Sequence, residues 1–234
     1  NNVIRGFHTE LEAVYEEKYM SLTRDNSKVQ EAIFSSLFPK HPYGTQTVLG
    51  TQENLKNPSI TNIKNYYKQW YVPNNMAICM SGDLDPDATI ALIDKYFGGL
   101  KPNPELPKLD LPKEAPITQP VVKEVLGPDA ESVALAWRFP GVSDKDFEIL
   151  QVVSQVLYNG KAGLIDLDLN QQQKVLNSYG YPMGLADYSA LLLGGLPKQG
   201  QTLEEVKDLL NQEAPCRRVR RENAGSEHQQ FQAR

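Results

Sequence analysis

Residues 41–55, HPYGTQTVLGTQENL, and residues 59–100, SITNIKNYYKQWYVPNNMAICMSGDLDPDATIALIDKYFGGL, carry the turn, helix and strand signals from which the fold class is read. Ser59 stands immediately before Ile60, Ile63, Tyr66, Tyr67 and Trp70, which recur at helical spacing on one apolar face. Pro73, Asn74 and Asn75 make a turn, and residues 76–81, MAICMS, form a short apolar run that predicts a buried strand. Cys79 inside that run reads as a small buried hydrophobe. A further helix follows, with Asp85 as its N-cap, Pro86 at its first position and Gly98-Gly99 as its stop. Helices alternating with an apolar strand indicate an α+β or α/β layout.

Upstream of this stretch, residues 9–22 (TELEAVYEEKYMSL) lack Gly and Pro and are rich in Glu, Leu, Ala and Met, which predicts a helix. Thr9 and Glu12 have capping-box spacing, and acidic residues crowd the first half, where the helix dipole favours them. Asn26-Ser27 predict a break, after which Val29, Ile33, Phe34 and Leu37 restore helical spacing over residues 28–38. Pro39, Pro42 and Gly44 then predict a loop.

Downstream, Pro102, Pro104, Pro107, Pro112, Pro116 and Pro120 are too dense for a helix or a central strand, so an extended linker is expected over residues 101–118. Strands are expected at 121–126, 132–139 (SVALAWRF) and 190–193, and helices at 144–158, 164–176 and from Thr202 to about Glu213. The expected fold class is therefore α+β, with two units, residues 1–100 and 119–213, on either side of the linker. Residues 214–234 differ again. Arg217, Arg218, Arg220 and Arg221 open a polar stretch with almost no apolar residues, expected to be disordered or foreign to the rest.

With 40% hydrophobic and 23% charged residues among 234, the composition is that of a globular protein. No apolar run is long enough to span a bilayer, and the first residues do not read as a signal peptide. A net charge of -5 argues against a nucleic-acid-binding protein. Cys79 and Cys216 form no CxxC or Cys/His cluster, so neither a disulfide framework nor a cysteine zinc site is expected.

The three histidines, His8, His41 and His228, belong to no H-E-x-x-H or H-x-x-E-H pair. His8 and His41 read as polar residues at a helix start and in a loop. No nucleophile elbow or P-loop occurs. Glu10 and Glu17, seven positions apart in the first helix, share one face with Ala13 and Val14 between them. Two carboxylates on a partly apolar stripe can ligate or orient a metal, but Glu12 and Glu16 also make this a solvated acidic face.

The string His-Pro-Tyr-Gly (41–44), Gly50, Glu53 and Leu55, an aromatic helix, Tyr71, Pro73, Asn75 and Met76, Gly82-Asp83, and Tyr96-Phe97-Gly98 resembles the pitrilysin/insulinase (inverzincin) family of zinc metallopeptidases. The resemblance continues more weakly to Glu213. It implies two homologous domains, each an antiparallel sheet backed by helices, with this chain holding the back of the first and the front of the second. It also implies zinc in the parent protein and peptides as substrates, either degraded or processed as targeting sequences.

By the same resemblance, Glu17 matches the third zinc ligand and Glu10 a second acidic residue that supports the site without binding metal. The family's two histidine ligands and its base glutamate lie upstream in an H-x-x-E-H helix, a motif this chain lacks. The chain alone is therefore expected to bind no zinc tightly and to cleave no peptide. The alternative is a non-catalytic homologue that binds peptides or scaffolds a complex, against which the presence of both Glu10 and Glu17 weighs. Sheet edges left open would favour self-association. A soluble compartment is expected, without choosing among cytoplasm, periplasm and organelle matrix.

Overall fold

In a computed structural model that describes residues 6–214 and 231–232, helices occupy the first half of the chain and an antiparallel sheet the second. In chain order the helices are α1 (Phe7–Thr23), α2 (Asp25–Leu37), α3 (Pro42–Thr45), α4 (Gln52–Lys56), α5 (Ile60–Trp70) and α6 (Pro86–Phe97). Then come β1 (Val121–Val122), β2 (Val133–Pro140), α7 (Lys145–Leu157), β3 (Asn177–Gly184), β4 (Tyr188–Leu196), α8 (Leu203–Glu213) and β5 (Phe231–Gln232). The described residues divide into two compact units: those up to Lys18 with Leu49–Leu111, and Tyr19–Val48 with those from Pro112 onward.

The second unit is built on a three-stranded antiparallel sheet of order β2-β4-β3. Its centre strand β4 is buried from Ser189 to Gly195 because helices cover both faces. On one face Leu135, Trp137, Leu191 and Leu193 pack with Leu150 and Leu157 of α7 and with Leu203, Val206 and Leu210 of α8. On the other, Ala136, Ala190 and Leu192 pack with Ile33, Leu37 and Phe38 at the end of α2.

Strand β4 runs further at both ends than the expected 190–193. Gly194 and Gly195, just past the expected run, lie inside it where neighbouring groups come too close for a side chain. A Cβ on Gly195 would meet Val206 Cγ1 at 2.5 Å, and one on Gly194 would strike the Tyr179 ring on the opposite face. The helix expected over 164–176 is replaced by a π-helical segment, Asp166–Asn170, where the Gln171 N–H donates to the Asp166 carbonyl at 2.8 Å. The chain then turns through Gln173, whose φ of 52° ends any helix. Strand β3 was not expected at all, since Gly180 and Pro182 interrupt any two-residue alternation. The run 121–126 forms a strand only over Val121–Val122, which pairs in parallel with β5.

Helix α1 begins at Phe7, so Thr9 lies inside its first turn instead of capping it, and Glu10 N–H donates to the Gly6 carbonyl at 3.0 Å. The break falls at Arg24, in extended conformation (φ -93°, ψ 121°), and Asn26-Ser27 sit in the first turn of α2.

Two caps of the first unit, Ser59 and Asp85, are where the sequence puts them. Ser59 Oγ accepts from Asn62 N–H at 3.2 Å, and Asp85 Oδ1 from Ala88 N–H at 2.9 Å. The loop at Pro73–Asn75 is tied to Asn103 by two hydrogen bonds, at 2.8 and 2.9 Å, through the Asn74 amide. Residues 76–81, however, have no ladder partner among the described residues, and Met76, Ile78, Met80 and Cys79 are exposed. The buried strand and buried cysteine expected there are not formed. An apolar run states what a segment can bury, while its neighbours decide whether it does. The same holds for Ile60, Tyr66 and Tyr67 on α5, which lie exposed.

Candidate metal-site helix

Glu10 and Glu17 both stand on α1 and both are exposed to solvent. Seven positions are almost two turns, which places the two carboxylates roughly 20° apart around the helix and about 10 Å apart along it. That is one acidic face with two separate positions, unlike the adjacent-turn spacing of a chelating pair. Between them Val14 is half-buried and Ala13 exposed, and Lys18, beside Glu17, is buried.

Imidazole donors do not complete the set. His8 lies near the start of α1, about 13 Å of helical rise from Glu17, with its ring centroid 6.0 Å from that of Phe7. No group of three or more His, Cys, Asp or Glu able to hold a metal occurs among the described residues, and His228 lies outside them. A catalytic zinc takes three protein ligands and keeps a fourth position for water. The donors along α1 are carboxylates, so the described residues do not fit a whole zinc site.

A second constellation went unread in the sequence. His41, expected to be a polar loop residue, is 1% exposed and enclosed by the rings of Phe38, Tyr43 and Tyr188, at centroid distances of 6.5, 4.2 and 5.3 Å. Its Nδ1 accepts from Tyr43 N–H at 3.2 Å, which turns the chain into α3. The N–H groups of Lys40 and His41 both donate to Glu114 Oε1 at 2.6 Å. Glu114 itself donates its N–H to Tyr188 Oη at 2.8 Å, and its Oε2 lies 3.8 Å from Arg138 Nη1. The Arg138 guanidinium sits over the Tyr188 ring and also donates to the carbonyls of Leu37 and Ala115. Only the His-Pro-Tyr-Gly spelling hinted at this cluster, because its members are scattered through the sequence.

An antiparallel sheet with helices on its faces defines an α+β domain. Residues 59–214 match the family described as "Peptidase M16 inactive domain", and the chain belongs to that M16 (pitrilysin/insulinase-like) zinc metallopeptidase family. It is 28% identical over 171 residues to the zinc protease PqqE of Helicobacter pylori, a match covering 70% of this chain and 38% of that protein. Among solved structures it resembles a protease from Helicobacter pylori, with a TM-score of 0.73 at 24% identity over 89% of this chain and 52% of that one. A peptidase M16 inactive domain from Pseudomonas fluorescens superposes with a TM-score of 0.69 at 12% identity, covering 98% of this chain and 70% of that one. At these identities the two structures speak to the fold alone. The chain spans 38% of the length of the curated relative.

Proposed function

We propose that this chain is part of a zinc-dependent metalloendopeptidase that hydrolyses peptides or processes targeting sequences, and that it carries the acidic flank of the metal site. The observation behind this reading is the family match over residues 59–214, preceded by a helix that presents Glu10 and Glu17 on one face. Glu17 is assigned as the third zinc ligand and Glu10 as the supporting carboxylate. The two imidazoles and the general base belong to an H-x-x-E-H helix that this sequence does not contain. Bound zinc would activate a water for attack on the peptide carbonyl.

In this reading residues 1–100 are the C-terminal part of the first peptidase domain, 101–118 the linker, and 119–213 the N-terminal part of the second. Residues 214–234, almost all of them outside the described residues, are the stretch expected to be disordered or foreign to the family. Alone, the chain is inactive. The apolar side chains open at Met76, Ile78 and Met80 make self-association one way to cover them. No helix among the described residues is long and apolar enough to cross a membrane.

A second reading, a non-catalytic homologue that binds peptides or scaffolds a complex, draws on the description of the matched family as an inactive domain. The two separate on zinc content and hydrolysis once an upstream H-x-x-E-H segment is supplied. The first reading expects one zinc and chelator-sensitive cleavage of a peptide, both lost in Glu17→Gln. Chelator-sensitive proteolysis by the present chain alone would overturn the assignment of the missing half.

A further inference from the structure

His41 Nε2 is a buried side-chain polar atom with no hydrogen-bond partner, and among the described residues no other is found. It lies 3.5 Å from Asp187 Oδ2 without forming a hydrogen bond to it, while Asp187 accepts from Tyr43 Oη at 3.3 Å and is 47% exposed in the β3–β4 turn. Buried polar atoms in native proteins are rarely left unpaired, so such an atom calls for an explanation.

The other ring nitrogen supplies it. Nδ1 accepts the Tyr43 N–H, so the neutral ring carries its proton on Nε2. A second proton must enter at Nδ1, where a backbone N–H already points, and two donors then face each other. The imidazolium thus loses the contact that caps the 41–45 turn, inside a pocket of three aromatic rings. A metal on Nε2 meets the same obstacle, since it too would require the proton to move to Nδ1.

The charged and titratable groups around the ring are few. Asp187 in the β3–β4 turn favours the imidazolium, from a half-exposed position where an ion pair is weak. Glu114, its side chain 1% exposed, holds the backbone of Lys40 and His41 and faces Arg138 of β2. Tyr43 and Tyr188 complete the set. We propose that the 40–45 turn is a proton-released latch: neutral His41 holds it closed against β4 and the linker at Glu114, and protonation of His41 opens it.

Amide hydrogen exchange of the full chain, followed by NMR from pH 8 to 5 with the His41 ring signals, tests this. The Tyr43, Gly44 and Thr45 amides, which bond to His41 Nδ1 or its carbonyl, should lose protection by about tenfold per pH unit as the ring takes up its proton. In His41→Asn the side-chain carbonyl can accept from Tyr43 N–H and position 41 no longer takes up a proton, so protection should stay flat. Flat protection in the natural chain, or ring titration with no change at Tyr43, overturns the latch. So does the same loss in His41→Asn, which would assign the effect to Glu114 or Asp187. If His41→Asn does not fold, shown by loss of the Trp137 indole signal, the coupling of ring and amide in the natural chain decides alone.

Discussion

Asp25 shows how one carboxylate can hold a distant loop. It starts α2, yet its Oδ2 accepts from Asp129 N–H at 2.9 Å and its Oδ1 from Lys28 Nζ at 3.0 Å, and the same ammonium reaches the Leu126 carbonyl at 3.3 Å. The Asp129 N–H and then the Lys28 ammonium hold its carboxyl below the usual carboxylate range. A group whose proton affinity falls on folding stabilises the fold above its unfolded-state pKa, and that contribution disappears as pH drops through the folded one. The stability difference between the natural chain and Asp25→Asn should therefore be constant from about pH 5 to 8 and shrink below about pH 4. Urea titrations at stepped pH check this, and a difference that persists at pH 2.5 would assign Asp25 a role in packing alone. Tyr179 and Tyr181 shift the other way, since burial raises both, with the neighbouring Tyr181 hydroxyl adding to the shift of Tyr179. Their phenolate absorbance should appear at higher pH than that of exposed tyrosines, and stability should fall as pH rises past 10. None of these shifts was legible in the sequence, because each depends on a partner or a covering element far along the chain.

Capping shows at the element scale what the sequence does and does not disclose. Thr9 with Glu12 and Thr202 with Glu205 spell the same signature. At α8 it is real: Thr202 Oγ1 accepts from Glu205 N–H at 3.2 Å, and Glu205 Oε2 accepts from Thr202 N–H at 2.8 Å. At α1 it is not, because the helix starts earlier and Thr9 lies within it. Thr202→Ala should lower stability by about 1 kcal/mol, and Thr9→Ala should stay within about 0.5 kcal/mol, both read from chemical denaturation. An equal loss at both sites would contradict the helix boundaries. Strand β4 carries a second element-scale test. Gly195→Ala pushes a methyl toward Val206 of α8 and should destabilise by about 1–3 kcal/mol through overpacking. The helices capped by Ser59, Asp85, Asp144 and Thr202 were readable, whereas the short helices at Pro42–Thr45 and Gln52–Lys56 were not. Strand β3 and the segment 166–170 were not, because register against β4 and a π-helical hydrogen bond are tertiary facts without local spelling.

Between the two units the contrast is one of burial. The second unit has two packed layers on its sheet, whereas the first leaves Tyr66, Tyr67, Met76, Ile78, Met80, Ile90 and Tyr96 exposed. Apolar surface on that scale in a folded protein marks a face meant to be covered. Under the proposed function, the upstream part of the parent, with its H-x-x-E-H helix and sheet, is what covers it, and residues 76–81 then become a central strand. Hydrogen exchange distinguishes this from a face that stays open. In the present chain the amides of residues 76–81 should exchange freely while those of β4, paired on both sides, exchange slowest. Addition of the upstream polypeptide should slow the 76–81 amides by a hundredfold or more, an increase of about 3 kcal/mol in opening free energy, and lower binding of an apolar dye. Protection of these amides that grows with the concentration of the chain alone would assign the cover to a second copy. Amides that stay unprotected under both conditions would mean that the apolar run at 76–81 serves neither purpose, and the reading of residues 1–100 as part of a peptidase domain would have to be given up.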